Sequence, residues 1–325
     1  MIQTTKIYEL YWKFAAERQN IFYNRLEGRS IDLTDDPILQ TYRFTNAYRA
    51  SDRVSQFLIK NVIHTGDQSP HEVFFRTLLF RFFNRISTWE NLSIALNFNV
   101  SYEDYDFQLY DAILTKQIES KKKIYSAAYI MPSGVREFGF SRKHQNNLVL
   151  LESMMKDNVP DKIAGSNSLK TVFNILKSYP TLGDFLAYQY TIDLAYSNLD
   201  CGLESEFIVP GPGALRGIQK CFSSTGKLTP SEVIQYVAER QHEEFSCRDI
   251  EFQDLFGRPL QLIDCQNLFC EIDKYARAYS PEIAIGGRSK IKQKFSINKT
   301  RINVFYPPKW GLNQSIPEKY FATID

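Results

Sequence analysis

Apolar residues recur every three to five positions along most of this chain, and very few stretches alternate apolar with polar. Residues 5–27 set Ile7, Tyr11, Phe14, Ile21 and Leu26 at that spacing, with Glu9, Lys13, Glu17 and Arg18 between them and Gly28 after them. Such a stripe is one face of an α-helix, and glycine ends it. Ser69-Pro70-His71-Glu72 and Thr229-Pro230-Ser231-Glu232 each read as a capping box with proline at the first helical position. They launch the apolar runs 73–86 and 233–245. Pro37 opens a short helix, and 45–64 carries Tyr48, Val54, Phe57, Leu58 and Val62 along one side. Further helices are expected over 103–118, 142–157, 167–178, 181–196, 213–222 and 264–279. Only 124–131 and 302–306 read as strands. The fold class is mainly α with few short strands. Pro132-Ser133-Gly134 divides a helical lobe at 1–140 from a second at 141–285, and a C-terminal segment follows at 286–325.

With 43% hydrophobic and 23% charged residues in 325, the chain is neither a disordered polymer nor a fibre nor a coiled-coil rod. The first residues lack an apolar leader core, and no apolar run is long enough to span a bilayer. Cys201, Cys221, Cys247, Cys265 and Cys270 are an odd set, which suits reduced thiols. A cytoplasmic monomer without membrane contact is therefore expected. The histidines are isolated and no CxxC pair occurs, so no metal is expected. Neither GxxxxGK[ST] nor GxGxxG is present, and no cofactor is expected.

Three segments carry candidate chemistry. Val209-Pro210-Gly211-Pro212-Gly213-Ala214-Leu215-Arg216-Gly217 precedes a helix start. Amides uncovered around Gly211 and Gly213, aligned with a helix dipole, bind phosphate; the same residues also make a plain tight turn. Asp264 follows the apolar run Leu260–Ile263 and caps the helix bearing Leu268 and Ile272, either as an ordinary N-cap or as a catalytic carboxylate. Asn46, Arg49 and Arg53 share a helix face near Tyr48, and Arg49 can pair with Asp52. Amide, guanidinium and ring together suit a base edge and a base face, or simply a solvated helix surface. On 181–196, Gln189, Asp193 and Tyr196 form one stripe, a core network or part of a pocket.

Charge adds a fourth. The 39 basic and 37 acidic residues give only +2, yet Arg288, Lys290, Lys292, Lys294, Lys299, Arg301 and Lys309 follow one another without an acid between Gly286 and Trp310. A basic arm on a mildly acidic body is the footprint of local phosphate contact.

The hairpin resembles that of helix-hairpin-helix DNA glycosylases, with Leu215 where strand-cleaving members carry a lysine. Four segments in order strengthen a narrower likeness: Phe44-Thr45-Asn46-Ala47-Tyr48-Arg49, Phe185-Leu186-Ala187-Tyr188-Gln189, Gly211-Pro212-Gly213-Ala214-Leu215-Arg216-Gly217 and Ile263-Asp264-Cys265-Gln266-Asn267-Leu268-Phe269-Cys270-Glu271. Together they resemble the α-glutamyl/putrescinyl thymine pyrophosphorylase family, a glycosylase offshoot associated with hypermodified pyrimidines of phage DNA. The likeness covers about residues 40–285. It implies a two-lobed helix-hairpin-helix glycosylase-like fold and DNA containing modified pyrimidines as partner. It also implies a monofunctional, base-flipping DNA glycosylase that excises a hypermodified, for example glycosylated, pyrimidine as antiviral defence. The alternative reaction displaces pyrophosphate from a modified thymine with an amine. Asp264 would be the catalytic carboxylate, with Asp193 and Asp273 as rivals, because the helix near 230–246 lengthens the spacing from Gly213. Asn46, Tyr48, Arg49, Asp52, Gln189 and Asn267 would hold the base. Gly211, Gly213, Leu215, Arg216, Arg288, Lys290, Lys292 and Lys294 would meet the DNA backbone.

Overall fold

The computed structural model describes residues 1–127, 131–133, 138–283, 291–296 and 302–320. Among them the protein is mainly helical. In chain order the helices are α1 (Lys6–Leu26), α2 (Pro37–Thr41), α3 (Arg53–Leu58), α4 (Pro70–Phe83), α5 (Ile86–Ala95), α6 (Phe107–Glu119) and α7 (Lys143–Lys156), then α8 (Val159–Ala164), α9 (Leu169–Lys177), α10 (Asp184–Ala195), α11 (Pro212–Cys221), α12 (Pro230–Glu239), α13 (Gln241–Ser246) and α14 (Leu262–Tyr279). Strands β1 (Ile2–Thr4) and β2 (Phe222–Thr225) pair antiparallel. No helix among the described residues is long and apolar enough to cross a membrane. The chain divides into two compact units, one made of 1–52 with 208–325 and the other of 53–207.

The first unit is built on α11 against α14. Gly213 and Gly217 sit four apart on the face of α11 that meets α14, so the backbones approach closely. A Cβ at Gly217 would lie 1.9 Å from the Phe269 carbonyl oxygen, and one at Gly213 would lie 2.2 Å from Cys270 Sγ. The α1 helix covers this pair with rings: Tyr11 lies 4.6 Å from Phe269, and Trp12 meets Phe245 edge-on at 4.8 Å. Phe245 in turn stacks on Phe252 at 4.3 Å. Each buried ring contributes roughly 1.5–3 kcal/mol by leaving water, and a well-oriented ring pair about 0.5–1.5 kcal/mol more. The N-cap of α1, Thr5, donates its amide to Cys221 O at 2.9 Å, tying the first helix to the end of α11.

The second unit surrounds α4, whose residues from Glu72 to Phe83 are all buried. A helix apolar on every side needs partners on every side, and α7, α8, α10 and the π-helical turn Ile59–Ile63 supply them. Its two charged residues near the start are neutralised internally. Arg76 donates to Glu72 Oε2 at 3.1 Å, to Val62 O at 3.1 Å and to Thr65 O at 2.9 Å.

Several expectations are corrected here. Glu72 does not close a capping box with Ser69; its Oε1 accepts the amides of Tyr102 and Glu103 at 2.8 and 2.9 Å, and Asp67 Oδ1 takes the Ser69 amide. Two amides and a guanidinium outcompete one exposed cap. The second box, Thr229 with Glu232, is formed. Residues 45–64 are not one helix: 42–48 is irregular, 49–51 is a 3₁₀ turn, and α3 begins only at Arg53. Residues 302–306 form no strand, nor do 124–127; the rest of the first expected strand, 128–130, lies outside the described residues. α5 and α8 were not anticipated as separate helices.

Candidate functional site

In the first unit, the segment Tyr42–Asp52 is held by groups from distant elements. Asn46 and Asp52 close it locally: Asn46 donates its amide to Asp52 Oδ1 at 2.9 Å, and its Nδ2 donates to Ser51 O at 2.7 Å. These side-chain bonds offer the backbone an alternative to helix, which is why the periodicity fails here. Arg18 of α1 donates through Nε to Thr45 O at 2.8 Å and through Nη2 to Asn46 Oδ1 at 2.9 Å. From α14, Glu271 Oε2 accepts the Thr45 amide at 3.0 Å and Lys274 Nζ at 3.1 Å; Lys274 also donates to Arg43 O. Asp264 Oδ1 accepts the Arg49 amide at 2.8 Å, while its Oδ2 accepts the Gln261 amide at 3.0 Å.

One polar group in this loop remains chemically available. The half-buried Asp52 carboxyl is raised from 3.8 to about 6, chiefly by burial, against the lowering effect of the Asn46 amide and Arg18. No hydrogen bond reaches its Oδ2 among the described residues. The hydroxyl of Thr45 is buried without a hydrogen-bond partner. The side chains of Tyr8, Trp12 and Gln19 likewise hold buried polar atoms without a partner, so Thr45 is not distinguished by this.

The other expected site residues fall as follows. Tyr48 is 1% exposed; its hydroxyl donates to Arg258 O at 2.7 Å and its ring stacks on Phe252, so it is core and offers no face to a base. Arg49 is buried, and Arg53 lies on α3 rather than on a shared face. Asn267 is half-buried on α14, one turn beyond Asp264. Asp264 is not an N-cap: α14 starts at Leu262, Gln261 is the cap, and Asp264 stands at the third helical position as its capping-box partner, 4% exposed. Gln189 and Asp193 belong to the second unit. Asp193 is fully buried, and Arg81 Nη2 donates to its Oδ1 at 2.6 Å, so it belongs to a core ion pair.

The hairpin glycine Gly213 faces Cys270, which gives it a packing role. Gly211 is the buried N-cap of α11, Leu215 is 37% exposed, and Arg216 donates to Asp273 Oδ2 at 3.1 Å. Asp273 is further bound by Lys220 Nζ at 3.0 Å and Arg277 Nη2 at 3.1 Å, a buried carboxylate among three cations. Lys292 and Lys294 are exposed; Arg288 and Lys290 lie outside the described residues. No cluster of metal-ligating side chains occurs among the described residues.

The loop and its clamps all lie inside one family match. Residues 5–285 match the model of the family described as 5-hmdU DNA kinase, helical domain. The chain belongs to this family. A curated relative, the 5-hmdU DNA kinase of Bacillus phage SP10, is 26% identical over 295 residues, which is 85% of this chain and 46% of the relative. The chain thus spans about half the length of that relative. No solved structure matches it.

Membership of the 5-hmdU DNA kinase family overturns the pyrophosphorylase likeness and what it implied. A kinase transfers a phosphoryl group, so the expectations of a hydrolase, of a monofunctional glycosylase excising bases and of an antiviral role are withdrawn, as is the pyrophosphate-displacing alternative. The structure supplies the physical reason for the misreading. Glycines that uncover amides for phosphate and glycines that let two helices touch look alike in sequence, and Gly213 and Gly217 do the latter. Arg18, Glu271 and Lys274, which fix the loop, were not singled out. The available signal was the placement of Asp264 and Glu271 seven apart, on one face of α14.

Proposed function

We propose that this chain presents 5-hydroxymethyluracil in DNA for phosphorylation at its hydroxymethyl oxygen, and that the 42–52 loop reads the modified base. The observation that carries this is Asp52, a half-buried carboxyl poised near pH 6 in a loop pinned by Arg18, Glu271 and Asp264. Above that pH the carboxylate accepts the hydroxymethyl O–H and is placed to take its proton as the oxygen bonds to the donor's terminal phosphorus and the nucleoside diphosphate departs. The donor is a nucleoside triphosphate by reaction class, and no residue of this chain is assigned to it. Thymine, with a methyl group at the same place, leaves the carboxylate without its partner, a loss of about 1.5–3 kcal/mol or roughly ten- to hundredfold in affinity. Of a helix-hairpin-helix, the first unit keeps the Pro210-Gly211-Pro212 turn leading into α11, while the helix before that turn, α10, belongs to the second unit.

Fluorescence anisotropy with matched oligonucleotides tests the reading. The protein is expected to prefer 5-hydroxymethyluracil over thymine, and Asp52→Asn to lose that preference with an unchanged circular dichroism spectrum. Equal affinity of the unmodified protein for both oligonucleotides sinks it.

A further inference from the structure

The described residues 291–296 of the basic arm lie against the start of the loop. Residues 293–295 pair antiparallel with 41–43: Arg43 donates its amide to Gln293 O at 3.1 Å, Phe295 donates to Thr41 O at 3.0 Å, and Tyr42 stands opposite Lys294. The ammonium of Lys294 lies 4.4 Å over the Tyr42 ring, which holds the side chain on the ribbon. Arg43, Lys292, Lys294 and Phe295 are all exposed. On an extended segment, alternate residues share a face, so Lys292 and Lys294 project together about 6.6 Å apart, near two steps of the 3.4 Å rise per nucleotide of one strand. The nearby Glu271 is spent on Lys274 and the Thr45 amide, so the ribbon keeps its positive charge. From Arg43 the chain passes straight into Phe44-Thr45-Asn46, the loop closed by Asp52.

We infer that this two-segment ribbon is a phosphate rail: Lys292 and Lys294, on one of its faces, grip the backbone of the DNA strand whose modified base the adjoining loop reads. The inference rests on the reading of DNA as substrate but concerns different residues. Charge sets the occupant: two exposed ammonium groups on one face at strand spacing fit a sugar-phosphate chain rather than an apolar partner.

The experiment measures binding of a 5-hydroxymethyluracil oligonucleotide and its thymine counterpart across a salt series, single-stranded and duplex. Each lysine that meets a phosphate adds about one to the slope of log affinity against log salt. Lys292→Ala with Lys294→Ala is expected to lower the slope by about two while leaving the preference for the modified base intact, and Lys292→Gln with Lys294→Gln to do the same. Asp52→Asn is expected to do the reverse, abolishing preference at unchanged slope. An unchanged slope in both double variants overturns the rail while leaving the base reading standing. A lowered slope in a protein that never distinguishes the two oligonucleotides keeps the rail and removes the base reading.

Discussion

The carboxylate of Asp264 accepts the backbone amide of Arg49 at 2.8 Å across 215 positions of sequence. One helix start thereby fixes the exit of the loop, and its other oxygen caps α14 through the Gln261 amide. Loss of this side chain strands two amides, one of them buried. Asp264→Ala is expected to destabilise the protein by about 2–4 kcal/mol, seen as a lowered midpoint in urea with unchanged slope. A change below about 0.5 kcal/mol contradicts the anchoring role.

Asp52 gives stability a pH dependence of defined sign. Its folded value, about 6, lies above its usual 3.8, so the fold favours the neutral acid. That contribution is fully present below pH 3.8 and is lost as pH rises through 6. Relative to Asp52→Asn, the protein with Asp52 is expected to lose about 1–2 kcal/mol between those limits, less than the 1.36 kcal/mol per unit would give because the group is partly screened. Urea titrations of both proteins at several pH values read this difference, and parallel curves refute it.

Gly217 faces the Phe269 carbonyl with no room for a methyl group. Gly217→Ala raises intrinsic helix propensity by about 1 kcal/mol, yet here it forces α11 off α14, and a net loss of about 1–3 kcal/mol is expected. Thermal denaturation decides: a raised midpoint means the helices separate freely.

The buried pair Arg81–Asp193 separates a core role from a chemical one. Asp193→Asn leaves Arg81 buried with its countercharge gone and is expected to cost about 3–5 kcal/mol, whereas Arg81→Met with Asp193→Leu together recovers most of that. If the double variant is stable but fails to bind DNA, Asp193 has a role beyond the core.

Local information explains which parts were legible. The α1 and α14 helices and the Thr229–Glu232 box are decided within a few residues of themselves, and periodicity places them to within two positions. Glu72 was misread because its partners, the Tyr102 and Glu103 amides, are 30 and 31 positions away. The loop at 42–52 was noticed for its residues but drawn as a helix, because Asn46 and Asp52 bind backbone instead of solvent. Asp264 and Asp193 were noticed as carboxylates, but the sequence does not say that one would hold amides and the other a guanidinium. The basic arm is plain in the sequence as a stretch of charge, while its pairing with Thr41–Arg43 depends on contacts about 250 positions apart that no local pattern reveals.

The first unit is assembled from both ends of the chain, 1–52 and 208–325, while 53–207 is continuous. On a ribosome adding about 5–20 residues per second, α1 therefore emerges long before the α14 surface that buries its rings. Tyr8, Tyr11 and Trp12 must wait, exposed, for tens of seconds, and the Asn46–Asp52 loop gains its Asp264 and Glu271 clamps last. Ribosome-bound chains arrested soon after Phe207 clears the exit tunnel should protect the inserted unit from protease but leave α1 open to cleavage. Assembly order thus makes the 42–52 loop one of the final parts of the first unit to take shape.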